Sequence, residues 1–113
     1  MNNREISIDS VAKLLKDRKL LFTEVFKHGT LVVEFYKPNK TDNQQPHDRD
    51  EIYVVATGTG VFYNGGNKWN FKPGDFLFVS AGVEHRFEEF TEDFSTWVFF
   101  YGPVGGEKEN KSG

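Results

Sequence analysis

Between Leu20 and Tyr101 the chain is a succession of short runs, rich in branched and aromatic residues and cut by turn chemistry at nearly even intervals. Such runs are too short for helices and have the composition of half-buried strands. The spacing predicts strands over 20–27, 30–36, 52–57, 60–64, 68–71, 76–79, 85–90 and 95–101, in a barrel expected to have about nine strands. Asn64-Gly65 and Lys72-Pro73-Gly74-Asp75 supply residues that tolerate positive φ or preset a turn. Many short strands of this kind close into a sandwich or barrel. In Leu31–Tyr36, Leu31, Val33 and Phe35 form a wholly apolar face, whereas Val32, Glu34 and Tyr36 form a mixed one. The one helical period lies upstream, over residues 8–18, with Asp9 positioned as a cap and Val11, Leu14 and Leu15 on one face.

With 113 residues the chain is expected to form one domain around a single core, and twelve phenylalanines can fill it without disulfides. There is no cysteine, which excludes thiolate metal sites and cysteine nucleophiles. A net charge of −3 without a basic run argues against a nucleic-acid partner. No apolar run approaches membrane-spanning length and the first residues lack a signal-peptide core, so a cytoplasmic protein with no membrane association is expected. The glycine-rich, charged segment 102–113 is expected to be a flexible tail.

Chemistry is concentrated in two stretches. Gln45, His47 and Glu51 precede an apolar run that ends at Gly58, and His85 follows Gly82 by three residues. Two imidazoles and one carboxylate make the facial set that holds a divalent metal and leaves positions open, and Gln45 can add a neutral oxygen. Taken alone, His47 within PHDRDE reads as a solvated turn residue, and Arg49 and Asp50 as an exposed turn. Gly58-Thr59-Gly60 lacks the third glycine of a dinucleotide fingerprint and reads as a hairpin turn. No Ser-His-Asp or Walker pattern is present. If Glu51 and His85 point into a barrel, alternation brings Tyr53, Phe87 and Glu89 to the same cavity, with Trp97 and Phe99 as its far wall.

The spacing Gln45-x-His47-x3-Glu51-x6-Gly58 resembles the first motif of the cupin family, and Gly74-x5-Ser80-x-Gly82-x2-His85 resembles the second. Gln45 stands where the family has its first histidine, Ser80 where it has proline, and Glu89 where it often has asparagine. The resemblance implies an all-β, cupin-like jelly-roll barrel over 20–101 with a helical segment 1–19 packed on it. It also implies one divalent first-row metal (iron, manganese, nickel or zinc) on His47, Glu51 and His85, with Gln45 as a fourth ligand. The implied function is a metal-dependent, dioxygenase-like enzyme in which a small organic molecule chelates the metal between Tyr53, Phe87, Trp97 and Phe99. Glu51, Tyr53 and Glu89 are then the catalytic candidates. A metal-assisted isomerase and a non-catalytic ligand-binding module are the alternatives, and a homodimer is the family's common assembly.

Overall fold

In the computed structural model, which describes residues 4–109, helix α1 (Ile8–Arg18) precedes eight strands. These are β1 (Phe22–His28), β2 (Leu31–Tyr36), β3 (Asp50–Thr57), β4 (Gly60–Asn64), β5 (Asn67–Phe71), β6 (Phe76–Val79), β7 (His85–Glu88) and β8 (Ser95–Tyr101). The count among the described residues is thus eight, not nine. Ser7 rather than Asp9 caps α1: its side-chain oxygen accepts the Ser10 N–H at 3.1 Å, satisfying one of the donors a helix start leaves free. Lys19, at φ 54, ends the helix by returning its N–H to the Leu15 and Lys16 carbonyls.

Two antiparallel sheets face each other in a jelly-roll arrangement, one in the order β1-β2-β8-β3-β6 and the other β5-β4-β7. Register sorts the side chains of the larger sheet into two faces. Val33 pairs with Phe99 and Phe35 with Trp97, and this face is covered by Val11 and Leu15 of α1. The opposite face carries Glu34 beside Val98 and Val98 beside Tyr53, and it looks toward the smaller sheet. Between the sheets lies an aromatic core of Tyr53, Phe62, Phe71, Phe87 and Phe94 with Val55, Val79 and Val98. Phe87 packs its ring against four others at centroid distances of 4.6 to 5.5 Å. β6 turns Leu77 and Val79 to this core, leaving Phe76 and Phe78 exposed.

The Gly58-Thr59-Gly60 segment is not a hairpin turn, because β3 and β4 belong to different sheets. It carries the chain across the seam, where a Cβ on Gly58 would lie 2.5 Å from the Phe94 Cα and one on Gly60 would lie 2.8 Å from the Phe90 Cα. Gly58 also sits at φ +84. At these two positions only glycine fits.

The start of the expected tail is folded back. Gly105 N–H donates to the Asp48 carbonyl at 2.7 Å, and Glu107 N–H donates to Asp50 Oδ2 at 2.7 Å. Asp50 also accepts the Ala81 N–H at 2.9 Å, so it is a buried clamp rather than part of an exposed turn. Its neighbour Arg49 is half-buried and donates to the Gly102 and Thr30 carbonyls. Residues 110–113 of that segment lie outside the described residues. No helix among the described residues is long and apolar enough to cross a membrane.

Candidate metal site

The site is built where the loop 37–49, the first turn of β3 and the β6–β7 loop meet. Glu51 is the second residue of β3 and is completely buried, pointing to the inner face with Tyr53. Its Oε1 lies 2.8 Å from His47 Nδ1 and 2.9 Å from His85 Nε2. His47, Glu51 and His85 each offer a ligand atom, and these atoms all lie within 4.8 Å of one another. The two imidazole rings stand 5.2 Å apart, and Phe100 meets the His47 ring edge-on at 5.1 Å.

Backbone contacts fix both histidines. His85 Nδ1–H donates to the Val83 carbonyl at 2.9 Å, so Nε2 donates to Glu51 when the ring is charged and would offer its lone pair to an ion when the ring is neutral. An imidazole held through its other nitrogen is a common supporting arrangement for a metal ligand. The His47 carbonyl accepts the Gly82 N–H at 2.7 Å, joining the two ligand-bearing segments directly.

Electrostatics reinforce the cluster. Burial alone would push the Glu51 carboxyl up, but hydrogen bonds from His47 and His85, and their charge, outweigh it and hold the group below the usual carboxylate range. Burial likewise opposes a charged His85, yet the Glu51 carboxylate overrides it and raises the imidazole. One atom stays unsatisfied: Glu51 Oε2 is buried without a hydrogen-bond partner among the described residues. A buried carboxylate oxygen left bare is costly, and a cation between it and two imidazole nitrogens would satisfy it. The donor set therefore fits a borderline divalent metal.

The other candidates are distributed differently. Gln45 is exposed, while its neighbour Gln44 turns inward and accepts the Tyr53 hydroxyl at 3.0 Å. Gln44 is drawn in by Asp42, which accepts its side-chain amide at 2.8 Å and its backbone N–H at 3.3 Å. Tyr53 is fully buried, and its oxygen lies 3.1 Å from His85 Nε2. Burial and the nearby Glu51 charge push this phenol well above its ordinary range. Phe87 belongs to the aromatic core, 2% exposed, and is no part of an open wall. Glu89 has left β7, sits at φ 48 and is exposed.

A cavity of about 810 Å³ opens beside His47, and its walls include Val98 and Phe100, not Trp97 and Phe99. The latter two lie on the opposite face of β8, under α1. Leu20, Leu21, Phe22, Val32 and Tyr36 complete much of the apolar lining. The cavity also contains Glu34, which had not been singled out for chemistry although it is the lone charge on the mixed face of β2.

Similarity to known proteins agrees with this geometry. An uncharacterized protein of Streptomyces coelicolor is 36% identical over 63 residues, covering 56% of this chain and 60% of that protein's length. The plu4264 protein of Photorhabdus luminescens superimposes with a TM-score of 0.64 at 13% identity, over 90% of this chain and 89% of that one. A cupin superfamily protein of Desulfitobacterium hafniense gives 0.59 at 15% identity, over 72% and 75%. A chain from crystal structures of DMSP lyases gives 0.62 at 20% identity, over 74% of this chain and 47% of that one. At these identities the structural likenesses establish the fold alone. The cupin domain family model matches residues 32–100, more than half of the sequence and including all three histidine and glutamate residues of the cluster, and the chain belongs to that family.

Proposed function

We propose that this chain is a metal-dependent enzyme, dioxygenase-like, acting on a small organic molecule held in the cavity beside His47. The observation that carries the reading is the buried Glu51 carboxylate, with two imidazoles on its Oε1 and no partner for its Oε2 among the described residues, in a cluster whose His47 lines that cavity. His47, Glu51 and His85 would hold one divalent first-row metal: iron, manganese, nickel or zinc. When bound, such an ion supplies Lewis acidity and, as iron, one-electron chemistry with dioxygen.

The chain's own residues do the rest. Leu21, Phe22, Val32, Val98 and Phe100 provide apolar surface that would exclude water and favour a flat or apolar ligand. With its hydroxyl hydrogen engaged by Gln44, Tyr53 is poorly placed to act as a proton donor. Exposed Glu89 offers no proton to this cavity, which weakens the isomerase alternative built on those two residues.

Oxygen uptake by the ferrous protein tests the proposal. Across a panel of catechols, enediols and β-diketones, at least one should drive consumption well above a free-iron control. If one binds tightly and none supports uptake, a ligand-binding module is the better description. A homodimer is part of the same proposal, formed along β1, a sheet edge that leaves Leu21 and Phe22 exposed. Sedimentation equilibrium should give twice the 13.0 kDa chain mass, and a monomer at micromolar concentration would exclude it.

A further inference from the structure

We propose that Glu34 forms a cation subsite in the cavity, so that the ligand is a metal chelator carrying an amine. The inference rests on the metal-cavity reading above and extends it to ligand chemistry. Glu34 lies on the cavity wall, half-buried, and its carboxylate makes no hydrogen bond or ion pair among the described residues. Its neighbours on the same face are Val32, Tyr36 and, across the β2–β8 pair, Val98. A charge kept in such surroundings without a partner is unfavourable unless something arrives to meet it.

The backbone adds a second, independent observation. Glu34 is registered directly opposite Glu24 in the β1–β2 pair, so the two carboxylates emerge on one side of the sheet. Like charges placed directly opposite each other destabilise a sheet. Glu24 has partial relief from Lys27 at 3.6 Å, whereas Glu34 has none. Burial, and then Glu24, push the Glu34 carboxyl above its ordinary range, with Glu51 adding to the rise and His47 opposing it.

The cavity's own cations are committed or remote. Arg49 spends its guanidinium on the Gly102 and Thr30 carbonyls, and Lys19 is exposed at the end of α1. An incoming ammonium would therefore be the natural partner. Glu34, Val98 and Tyr53 share one row across β2, β8 and β3. Glu51 stands two residues along β3 from Tyr53, so strand spacing puts the Glu34 backbone about 12 Å from that of Glu51, a span suited to a short ligand reaching from the metal cluster to Glu34.

The test uses zinc-loaded protein and pairs of alkyl hydroxamates, which chelate through two oxygens. One member of each pair ends in an amine about two to four methylenes away, a reach set by that spacing, and the other ends in methyl. Wild-type protein should bind the best amino member about tenfold more tightly than its methyl partner, the order expected of one charge-assisted hydrogen bond. Glu34→Gln should shrink that ratio to about twofold or less, and Glu34→Lys should reverse it in favour of the methyl member. An equal ratio in wild type and Glu34→Gln would overturn the subsite while leaving the metal cavity standing. If no hydroxamate binds the zinc-loaded protein, the metal-cavity reading falls and takes the subsite with it.

Discussion

Glu51→Ala protein should lose stoichiometric metal and bind zinc or cobalt more than about a hundredfold more weakly than wild type, a larger loss than the 10–100-fold typical of changes behind the ligands. Glu51 is the sole carboxylate in the cluster, and its Oε1 is the atom on which both imidazoles converge at 2.8 and 2.9 Å. Alanine removes the anionic ligand and the group that aims the two rings. The remaining imidazoles would then compete poorly with water and protons for a divalent ion. Elemental analysis after dialysis, with affinity from competition against a chromogenic chelator, measures the loss. Gln45→Ala is the control, since Gln45 is exposed and should leave the affinity unchanged. Retention of one metal per chain in the Glu51→Ala protein would refute the site.

The largest loss of stability expected from a polar residue is at Asp42. This nearly buried carboxylate accepts the Tyr36 hydroxyl at 2.6 Å, the Phe87 N–H at 2.8 Å and the Gln44 side chain at 2.8 Å. It thereby stitches the loop 37–49 to β2 and β7, the strand that His85 begins. Alanine would leave the Phe87 N–H and the Tyr36 hydroxyl without their acceptor, at about 1–3 kcal/mol each, or roughly 3–5 kcal/mol together. For a domain of this size that corresponds to a fall in Tm of more than about 10 °C. Because Gln44 is released too, Tyr53 loses the acceptor of its hydroxyl, and metal affinity should weaken even in the protein that remains folded. Thermal denaturation followed by circular dichroism gives the first quantity. A shift under about 2 °C would mean that the loop is not held by Asp42.

The architecture was legible because the β period and turn residues run almost without interruption from Leu20 to Tyr101. His47, Glu51 and His85 could be picked out because two spacings pointed to them, and the fold brings them together. What escaped has physical reasons. β8 lies inside the five-stranded sheet, covered by α1 on one face and by the barrel interior on the other. Both of its faces are therefore largely apolar, and alternation cannot say whether Trp97 and Phe99 or Val98 and Phe100 look inward. The first spacing singles out Gln45, but Asp42 captures its neighbour Gln44 and turns the loop. Nothing in a polar loop distinguishes Asp42 from a solvated acid, because its partners lie on strands distant in sequence. Glu34 did leave a trace, as the one charge in LVVEFY, and required only the sheet order to be read as cavity-facing.

The bond from Gly82 N–H to the His47 carbonyl has a consequence for how an ion would be captured. His47 and His85 are separated by long stretches of chain, and bringing such segments together from an unfolded state carries a loop-closure penalty. Here strand pairing and this single backbone link have already met that penalty before any ion arrives. Small metal-nucleated domains, by contrast, draw on the ion to fold and unravel when it is stripped away. This chain has an aromatic core whose Tyr53 and Phe62 already pack against His85, so the cluster is preorganised by the fold and capture of an ion would be decoupled from folding.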